Sequence, residues 1–427
     1  MPGRRPIGID LFAGAGGLSL GFEQAGFDVA AAVELDPIHC ATHEYNFPNC
    51  AVLCASVEDV DASAIRRVAG VGKSPIDVVF GGAPCQGFSL IGHRVLDDPR
   101  NRLIKEFVRL TVDLDAKYFV FENVKGLTIG APRRILEETI EEFVGHGYEV
   151  LMPYRVLNAA AFGVPQDRKR LFLIGAKKGL PLPLYPSESV ASSSTVWDAI
   201  GDLPDADLFD ELLEDDSTRI KFGKPSRYAA YLRGVRRDPK DMSHPRIWDS
   251  RLLTSSMRTE HTKLSQRRFK ATKHGEVEPI SRFLKLDPTG VSNTLRAGTG
   301  SDKGAFTSPR PIHPVASRCI TVREAARLHS YPDWFRFHGT KWHGFRQVGN
   351  SVPPLLGRAI ATQLATVLDA PRTQPKDEIA LGDERLLRLS PSEAAERYGV
   401  SRSIMGRRLR ASERNAEADE LDASATA

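Results

Sequence analysis

Residues 7–22, IGIDLFAGAGGLSLGF, restrict the fold more than any other stretch of this chain. Residues 7–12 are short and apolar, as in a buried parallel strand; Gly14, Gly16 and Gly17 break the run, and Leu18, Leu20 and Phe22 open a helical period that ends near Gly26. Strand, glycine turn and helix make the first unit of a nucleotide-binding sheet, in which bare backbone amides reach a ligand at the helix N-terminus. Residues 27–33 read as the second strand. They end in Glu34, 20 residues after Gly14, where a carboxylate can accept from ribose hydroxyls.

Further strands are expected at 51–53, 76–80, 118–121, 148–157 and 170–176, with helices at 62–71, 102–114 and 134–146. The fourth strand opens the stretch DVVFGGAPCQGFS and breaks at Gly81-Gly82 into a loop that displays Cys85 between Pro84 and Gln86. An isolated cysteine is more often a small buried hydrophobe than a nucleophile. The fifth strand, however, carries Glu122-Asn123-Val124 to the same sheet edge, where ligands of open α/β sheets bind. Gln166, Arg168 and Arg170 alternate at strand spacing, so their side chains share a face, and two guanidiniums there suit a phosphate or a base carbonyl. Surface arginines on an edge strand would show the same pattern.

From Lys177 the pattern changes. Pro181, Pro183, Pro186 and the serine-rich 187–194 mark a boundary, and little periodicity returns before about Ser317. Between Arg251 and Arg310 there are 12 Lys/Arg against 5 Asp/Glu, and Phe222, Tyr228, Tyr231, Trp248, Phe269, Phe283 and Phe306 interleave with charges. That composition fits a DNA-reading surface, or the core of a small domain. Residues 321–329 read as a helix with a Thr321/Glu324 capping box, and 355–368 as another. After Pro371 and Pro375, Ser390 to Glu393 repeats the capping signature; helices to Arg397 and over 401–410, with a turn at Gly399, have helix-turn-helix spacing. Residues from Ala411 on are expected to be disordered.

The 427 residues suit one large domain and a smaller one, and 41% hydrophobic with 26% charged residues is ordinary globular composition. Five cysteines without a CxxC pair argue against a disulfide framework or a zinc site and fit a reducing cytoplasm. No run of eighteen apolar residues is present, which sets a membrane span aside. The formal net charge of +4 does not by itself imply a polyanionic partner.

Taken together, IDLFAGAGGLSLGF, Glu34, GGAPCQGFS, FENV, GVPQDRKR and QVGNSVPP, in this order, resemble the DNA (cytosine-5)-methyltransferases of bacterial restriction-modification systems. The resemblance implies an α/β fold: a doubly wound, mostly parallel, Rossmann-like sheet binding S-adenosylmethionine, a smaller irregular target-recognition domain and a short helical C-terminal tail. The expected division is a first catalytic part over 1–176, the DNA-reading domain over 177–317, a return segment over 318–370 that completes the catalytic domain, and linker and tail over 371–427. By resemblance, Phe12, Gly14, Gly16, Leu18, Glu34, Asn350 and Ser351 bind the cofactor. Cys85 attacks carbon 6 of a flipped-out cytosine, Glu122 neutralises ring nitrogen 3, Arg168 favours the thiolate and Arg170 contacts the base carbonyl. Pro84, Gln86 and Gln166 shape the base pocket. Family members carry an acid near position 56 for the adenine amine; here it is Ser56, with Glu58 and Asp59 as stand-ins.

Double-stranded DNA is the implied partner, alongside a cognate restriction endonuclease, and a cytoplasmic monomer is expected. Three other readings stand beside it: a tRNA cytosine-5 methyltransferase of the same fold, although its Cys-Phe-Thr signature is missing here; a DNA-binding regulator using the tail; and a nicotinamide oxidoreductase, which leaves Cys85 and Glu122 unexplained.

Overall fold

The computed structural model describes residues 4–84, 101–188, 194–298, 310–371 and 374–401. Eight strands form the central sheet: β1 (Ile7–Leu11), β2 (Asp28–Glu34), β3 (Ala51–Cys54), β4 (Val78–Gly81), β5 (Tyr118–Val124), β6 (Tyr148–Val150), β7 (Arg155–Asn158) and β8 (Lys169–Lys177). Their order is β3-β2-β1-β4-β5-β8-β6, with β7 also on β8; the first five are parallel, and β8 runs antiparallel to β5, β6 and β7. From β1 the chain winds outward through β2 to β3; it then returns to β4 and winds the other way. The carboxyl ends of β1 and β4 therefore diverge and leave a crevice.

Strand alternation divides the interior into two cores. Val78, Phe80, Tyr118, Val120, Phe172 and Ile174 face one layer; Val79, Phe119, Phe121, Leu171 and Leu173 face the other. Against the second face pack α3 (Ala62–Val68), α4 (Arg102–Asp113) and α5 (Arg133–Gly145), through Ile65, Phe107 and Phe143 among others. The first face is covered by α1 (Gly17–Gln24) together with helices from far along the chain, described below.

Two local expectations are corrected. The strand expected over 148–157 is two strands, interrupted at 151–154, where Pro153 has no N–H to give the ladder. A helix that periodicity does not show, α2 (Pro37–Asn46), follows β2 directly. Asp36 caps it by accepting from the Ile38 N–H, and Pro37 sits at the first helical position. Its polar residues His39, Thr42, His43 and Asn46 are buried along with its apolar ones, so the sequence has no amphipathic stripe to reveal it.

Residues 194–292 add no strand to this sheet. They hold three short helices, α6 (Val196–Ile200), α7 (Arg227–Leu232) and α8 (Lys263–Ala271), and a small core around Ala206, Leu212 and Leu253. Two of the interleaved aromatics belong to the interior: Phe269 packs with Ile312 and Cys319, and Tyr228 donates to the Arg327 carbonyl at 2.7 Å. Buried ion pairs fix this region to the return segment. Arg327 on α9 (Val322–Leu328) joins Asp333 at 2.6 Å and also Asp202, while Arg318 reaches Glu324 at 2.8 Å. Such pairs specify register more than they stabilise, because desolvation offsets most of their attraction. The capping box of Thr321 and Glu324 starts α9 as its spacing predicts.

Then come α10 (Lys341–Asn350), which sequence periodicity also did not reveal, and α11 (Pro354–Val367), which lies along α1. In the tail, Leu386 and Leu387 pack on Ala41 and Tyr45 of α2. The helix α12 (Pro391–Tyr398) starts with the expected box and ends at Gly399 in the left-handed conformation; Arg397 and Tyr398 both donate to the Glu44 carboxylate at 2.6 Å. This first helix of the expected pair docks on α2. The second, beyond residue 401, lies outside the described residues.

Candidate functional site

Four segments meet at the crevice between β1 and β4. The first is the glycine turn after β1. Phe12 takes a positive φ of 62° to enter it, and Gly14 donates its N–H to Glu34 Oε2 at 2.8 Å; Glu34 Oε1 accepts from Asp36 N at 2.8 Å. One carboxylate thus ties the turn after β1 to the start of α2. Among the described residues a Cβ at Gly14 would meet nothing within 4 Å, so there is space on that side of the turn. Leu18 is buried against Gly357 of α11, so it offers a ligand its backbone at the helix start rather than its side chain.

Beneath the turn lies a polar cluster that sequence reasoning missed. Asp10 is buried, accepts from Ser19 Oγ at 2.6 Å, and is pushed up to about 8, chiefly by burial. Ser19 Oγ also lies 3.0 Å from His43 Nε2, and burial holds that imidazole neutral, lowered to about 3. The only sequence signal was an aspartate inside an apolar strand.

The second segment is the end of β4. A Cβ on Gly81 would lie 1.9 Å from the Leu11 carbonyl oxygen, and one on Gly82 would lie 2.5 Å from Glu122 Oε2. The Gly-Gly pair therefore lets this strand end press against β1 on one side and against the Glu122 carboxylate on the other. Asn123 Nδ2 donates to the Ala83 carbonyl at 2.9 Å, which pins the base of the loop. Pro84 follows, exposed; Cys85, Gln86 and the loop through residue 100 lie outside the described residues. Asn123 was read only as a neighbour of Glu122. A buried amide next to the acid was the available signal.

Glu122 itself, on β5, is the third element. Val124 pairs with Arg170 across the β5–β8 ladder, which brings the Arg170 Nε to 2.9 Å from Glu122 Oε1. Burial raises the Glu122 carboxyl above the usual range even though Arg170 and then Arg168 pull it down. A carboxyl whose proton is held more tightly than usual, beside a guanidinium, is placed to exchange a proton with a ring nitrogen.

Arg168 and Gln166 lie deeper. Arg168 is fully buried, and its guanidinium donates to the carbonyls of Leu295 (2.8 Å), Gly349 (2.7 Å) and Ser351 (2.8 Å). Gln166, also fully buried, donates to the Leu328 carbonyl at 3.3 Å and lies 3.0 Å from His329 Nδ1.

The fourth segment is the turn after α10. Asn350 is exposed there, and Ser351 and Val352 press on the glycine turn: a Cβ on Gly17 would lie 2.4 Å from the Val352 carbonyl oxygen and 2.9 Å from Ser351 Cβ. Residues more than 330 positions apart thus close one wall, since Gly17 and Ser351 are neighbours. Ser56 caps the turn Val57–Asp59, and its hydroxyl lies 3.4 Å from Glu58, whose carboxylate pairs with Arg102. The described residues hold no cluster of His, Cys, Asp and Glu fit for a metal ion, and no helix among them is long and apolar enough to cross a membrane.

Comparison with known proteins places the chain in a family. The chain is 61% identical over 412 residues to the type II methyltransferase M.XorII of Xanthomonas oryzae pv. oryzae, covering 96% of this chain and 97% of that protein. It is 35% identical over 358 residues to M1.HphI of Haemophilus parahaemolyticus, covering 83% and 85%. Among solved structures, a putative DNA modification methyltransferase encoded within an E. coli prophage superposes with a TM-score of 0.71 at 35% identity, over 85% of this chain and 99% of that one. The S. pombe Dnmt2 methyltransferase, at 16% identity and a TM-score of 0.53, shares the fold. The sequence profile of the C-5 cytosine-specific DNA methylases matches residues 8–366, and the chain belongs to that family.

Proposed function

We propose that this DNA cytosine-5 methyltransferase carries out its reaction with the side chains gathered at the β1–β4 crevice, and that its methyl donor is S-adenosylmethionine. The observation that carries this assignment is the close packing of Gly82, Asn123, Glu122 and Arg170 around the base of the Cys85 loop. The glycine turn fits such a donor: among the described residues space is open on the Cβ side of Gly14, and Glu34, which accepts from the Gly14 amide, has further lone pairs for ribose hydroxyls. Phe12, Gly14, Gly16, Leu18, Glu34, Asn350 and Ser351 would hold it. Glu58, next to Ser56, takes the place of the missing acid at the adenine. Bound there, the cofactor supplies an electrophilic methyl on a sulfonium.

Carbon 5 of cytosine is too weak a nucleophile to accept that methyl unaided. In the proposed sequence the Cys85 thiolate adds to carbon 6, and electron density moves onto carbon 5 and ring nitrogen 3. Glu122, with its carboxyl raised by burial, protonates or shares a proton with nitrogen 3 and so removes the charge that addition creates. Once carbon 5 carries the methyl group, a base removes the carbon-5 proton, the bond from carbon 6 to Cys85 breaks to release the thiolate, and nitrogen 3 returns its proton to Glu122. Arg170 holds the Glu122 carboxylate and reaches the base carbonyl; the Pro84 carbonyl accepts from the exocyclic amine, and Gln86 shapes the pocket. The base must leave the helix to reach this crevice, at a cost of a few kcal/mol.

Residues 177–317 serve as the DNA-reading domain, with 1–176 and 318–370 forming the catalytic one. High identity to a type II methyltransferase supports a role in restriction-modification. A cognate endonuclease acting alongside, and a cytoplasmic monomer, belong to the proposal. Incubation with tritiated S-adenosylmethionine and either duplex DNA or tRNA tests the reading. Label should enter DNA and not tRNA, and the Cys85→Ala variant should transfer none while still binding duplex. Transfer to tRNA alone, or full transfer by the variant, would overturn it.

A further inference from the structure

Arg168 was expected beside the reacting thiol, yet its guanidinium is committed elsewhere. All its hydrogen bonds among the described residues go to backbone carbonyls, and these belong to two distant segments. Leu295 lies on the stretch 292–298 that leads into residues 299–309; Gly349 and Ser351 lie on the return turn. The nearby carboxylate, Glu122, pairs with Arg170 instead. A buried cation hydrogen-bonded, among the described residues, to carbonyls alone is costly unless its donors are well placed, so the arrangement points to geometry rather than stability.

The surroundings show which geometry. Residues 165–168 and 292–295 zip together: Asp167 N donates to the Ser292 carbonyl (2.8 Å), Ser292 N to the Pro165 carbonyl (2.9 Å), and Thr294 Oγ1 to the Asp167 carbonyl (2.7 Å). Gln166 and Arg168 then bracket a single residue, since the Leu295 N–H donates to Gln166 Oε1 at 3.2 Å while its carbonyl accepts from Arg168. Beyond it the backbone of Arg296 and Ala297 presses on Gly349, where an added Cβ would lie 2.4 Å from Ala297 N. His329 completes the tie: its ring meets Gln166 at Nδ1 and the Ser351 carbonyl at Nε2, 3.0 Å in each case. Ser351 and Val352 in turn abut Gly17. An unbroken series of direct contacts therefore runs from residues 292–297 through Arg168 and Ser351 to the glycine turn.

We propose that Arg168 is a positioning residue, not a catalytic one: it locks residues 292–297 of the DNA-reading domain to the turn that closes the cofactor site, so that occupancy of either site orders the other. The inference rests on the cofactor and DNA assignments above. Because the lock has one guanidinium serving both segments, lysine cannot replace arginine; a single ammonium on a shorter stem does not span the three carbonyls.

The test is a ratio. S-adenosylhomocysteine affinity is measured by titration calorimetry with the full-length protein alone and with a duplex bearing the methylated sequence context, a scrambled duplex serving as reference. Wild type should bind about tenfold tighter in the presence of the specific duplex. Arg168→Lys should bring that ratio close to one, with affinity in the absence of DNA changed by no more than a few-fold. Simple structural damage lowers both affinities and leaves the ratio intact. Should Arg168→Lys not fold, Gln166→Met cuts the same lock from its neighbour and should reduce the ratio likewise. A ratio unchanged in the variant that folds would overturn the proposal, as would a wild-type ratio of one with normal binding. Failure of wild type to bind S-adenosylhomocysteine at all would instead count against the cofactor assignment.

Discussion

Gly82→Ala isolates the contact on which the site's geometry turns. Gly82 has no positive φ, so alanine is compatible with the backbone there, and the substitution acts through its methyl group alone. That methyl would lie 2.5 Å from Glu122 Oε2; regaining an ordinary contact of about 3.4 Å requires the carboxylate to recede by about 0.9 Å. A shift of that size disturbs the ion pair with Arg170, whose Nε lies 2.9 Å from Oε1. A displacement of about 1 Å at a reacting group costs about a hundredfold in rate. Single-turnover transfer of tritiated methyl to duplex DNA should therefore slow by about ten- to a hundredfold, with DNA affinity retained. In a Glu122→Gln background, itself slower by orders of magnitude, adding Gly82→Ala should cost little more, because both act on one group. A Gly82→Ala rate within twofold of wild type, or an undiminished further loss in the Glu122→Gln background, would refute the reasoning.

Two further outcomes follow from the interior. Asp10 has a folded pKa of about 8 against 3.8 unfolded, so the stability it contributes is present below pH about 4 and is lost as pH rises through 8. Relative to Asp10→Asn, wild type should lose about a kcal/mol per pH unit between pH 5 and 8 by urea denaturation; parallel stability curves for the two proteins would show that Asp10 ionises normally. Leu387, buried against Ala41 and Tyr45, should cost about 2–5 kcal/mol when changed to alanine, measured the same way, and a cost near zero would mean that the tail is not an integral part of the fold.

Much of this arrangement was legible because the relevant signals are local. The glycine turn, the apolar parallel strands and the capping boxes at Thr321 and Ser390 each have a short-range physical cause, and each stands where its spacing predicts. The helix α2 escaped notice because it is buried on every side, so that period-3.6 contrast vanishes. Longer-range packing was not legible at all. Why residues 81 and 82 must both be glycine is answered by Leu11 and Glu122, and why Arg168 is an arginine by carbonyls 127 and more positions away. Spacing suggested a shared face for Gln166, Arg168 and Arg170, and Arg170 lies beside Glu122. It carried no information on how deep Arg168 and Gln166 lie, because alternation assigns a face and not a depth. The tail shows the same division: the cap, helix and turn at Gly399 follow from sequence, whereas the docking of α12 on α2 depends on Glu44, some 350 residues earlier.

Bisulfite sequencing of DNA from cells expressing the protein tests methyl transfer to carbon 5 of cytosine at the β1–β4 crevice most directly, because 5-methylcytosine resists conversion. Protected cytosines are expected in one short sequence context in cells with the wild-type protein, and none in cells with Glu122→Gln expressed at equal level. Complete conversion in wild-type cells, or protection undiminished by Glu122→Gln, would contradict that expectation.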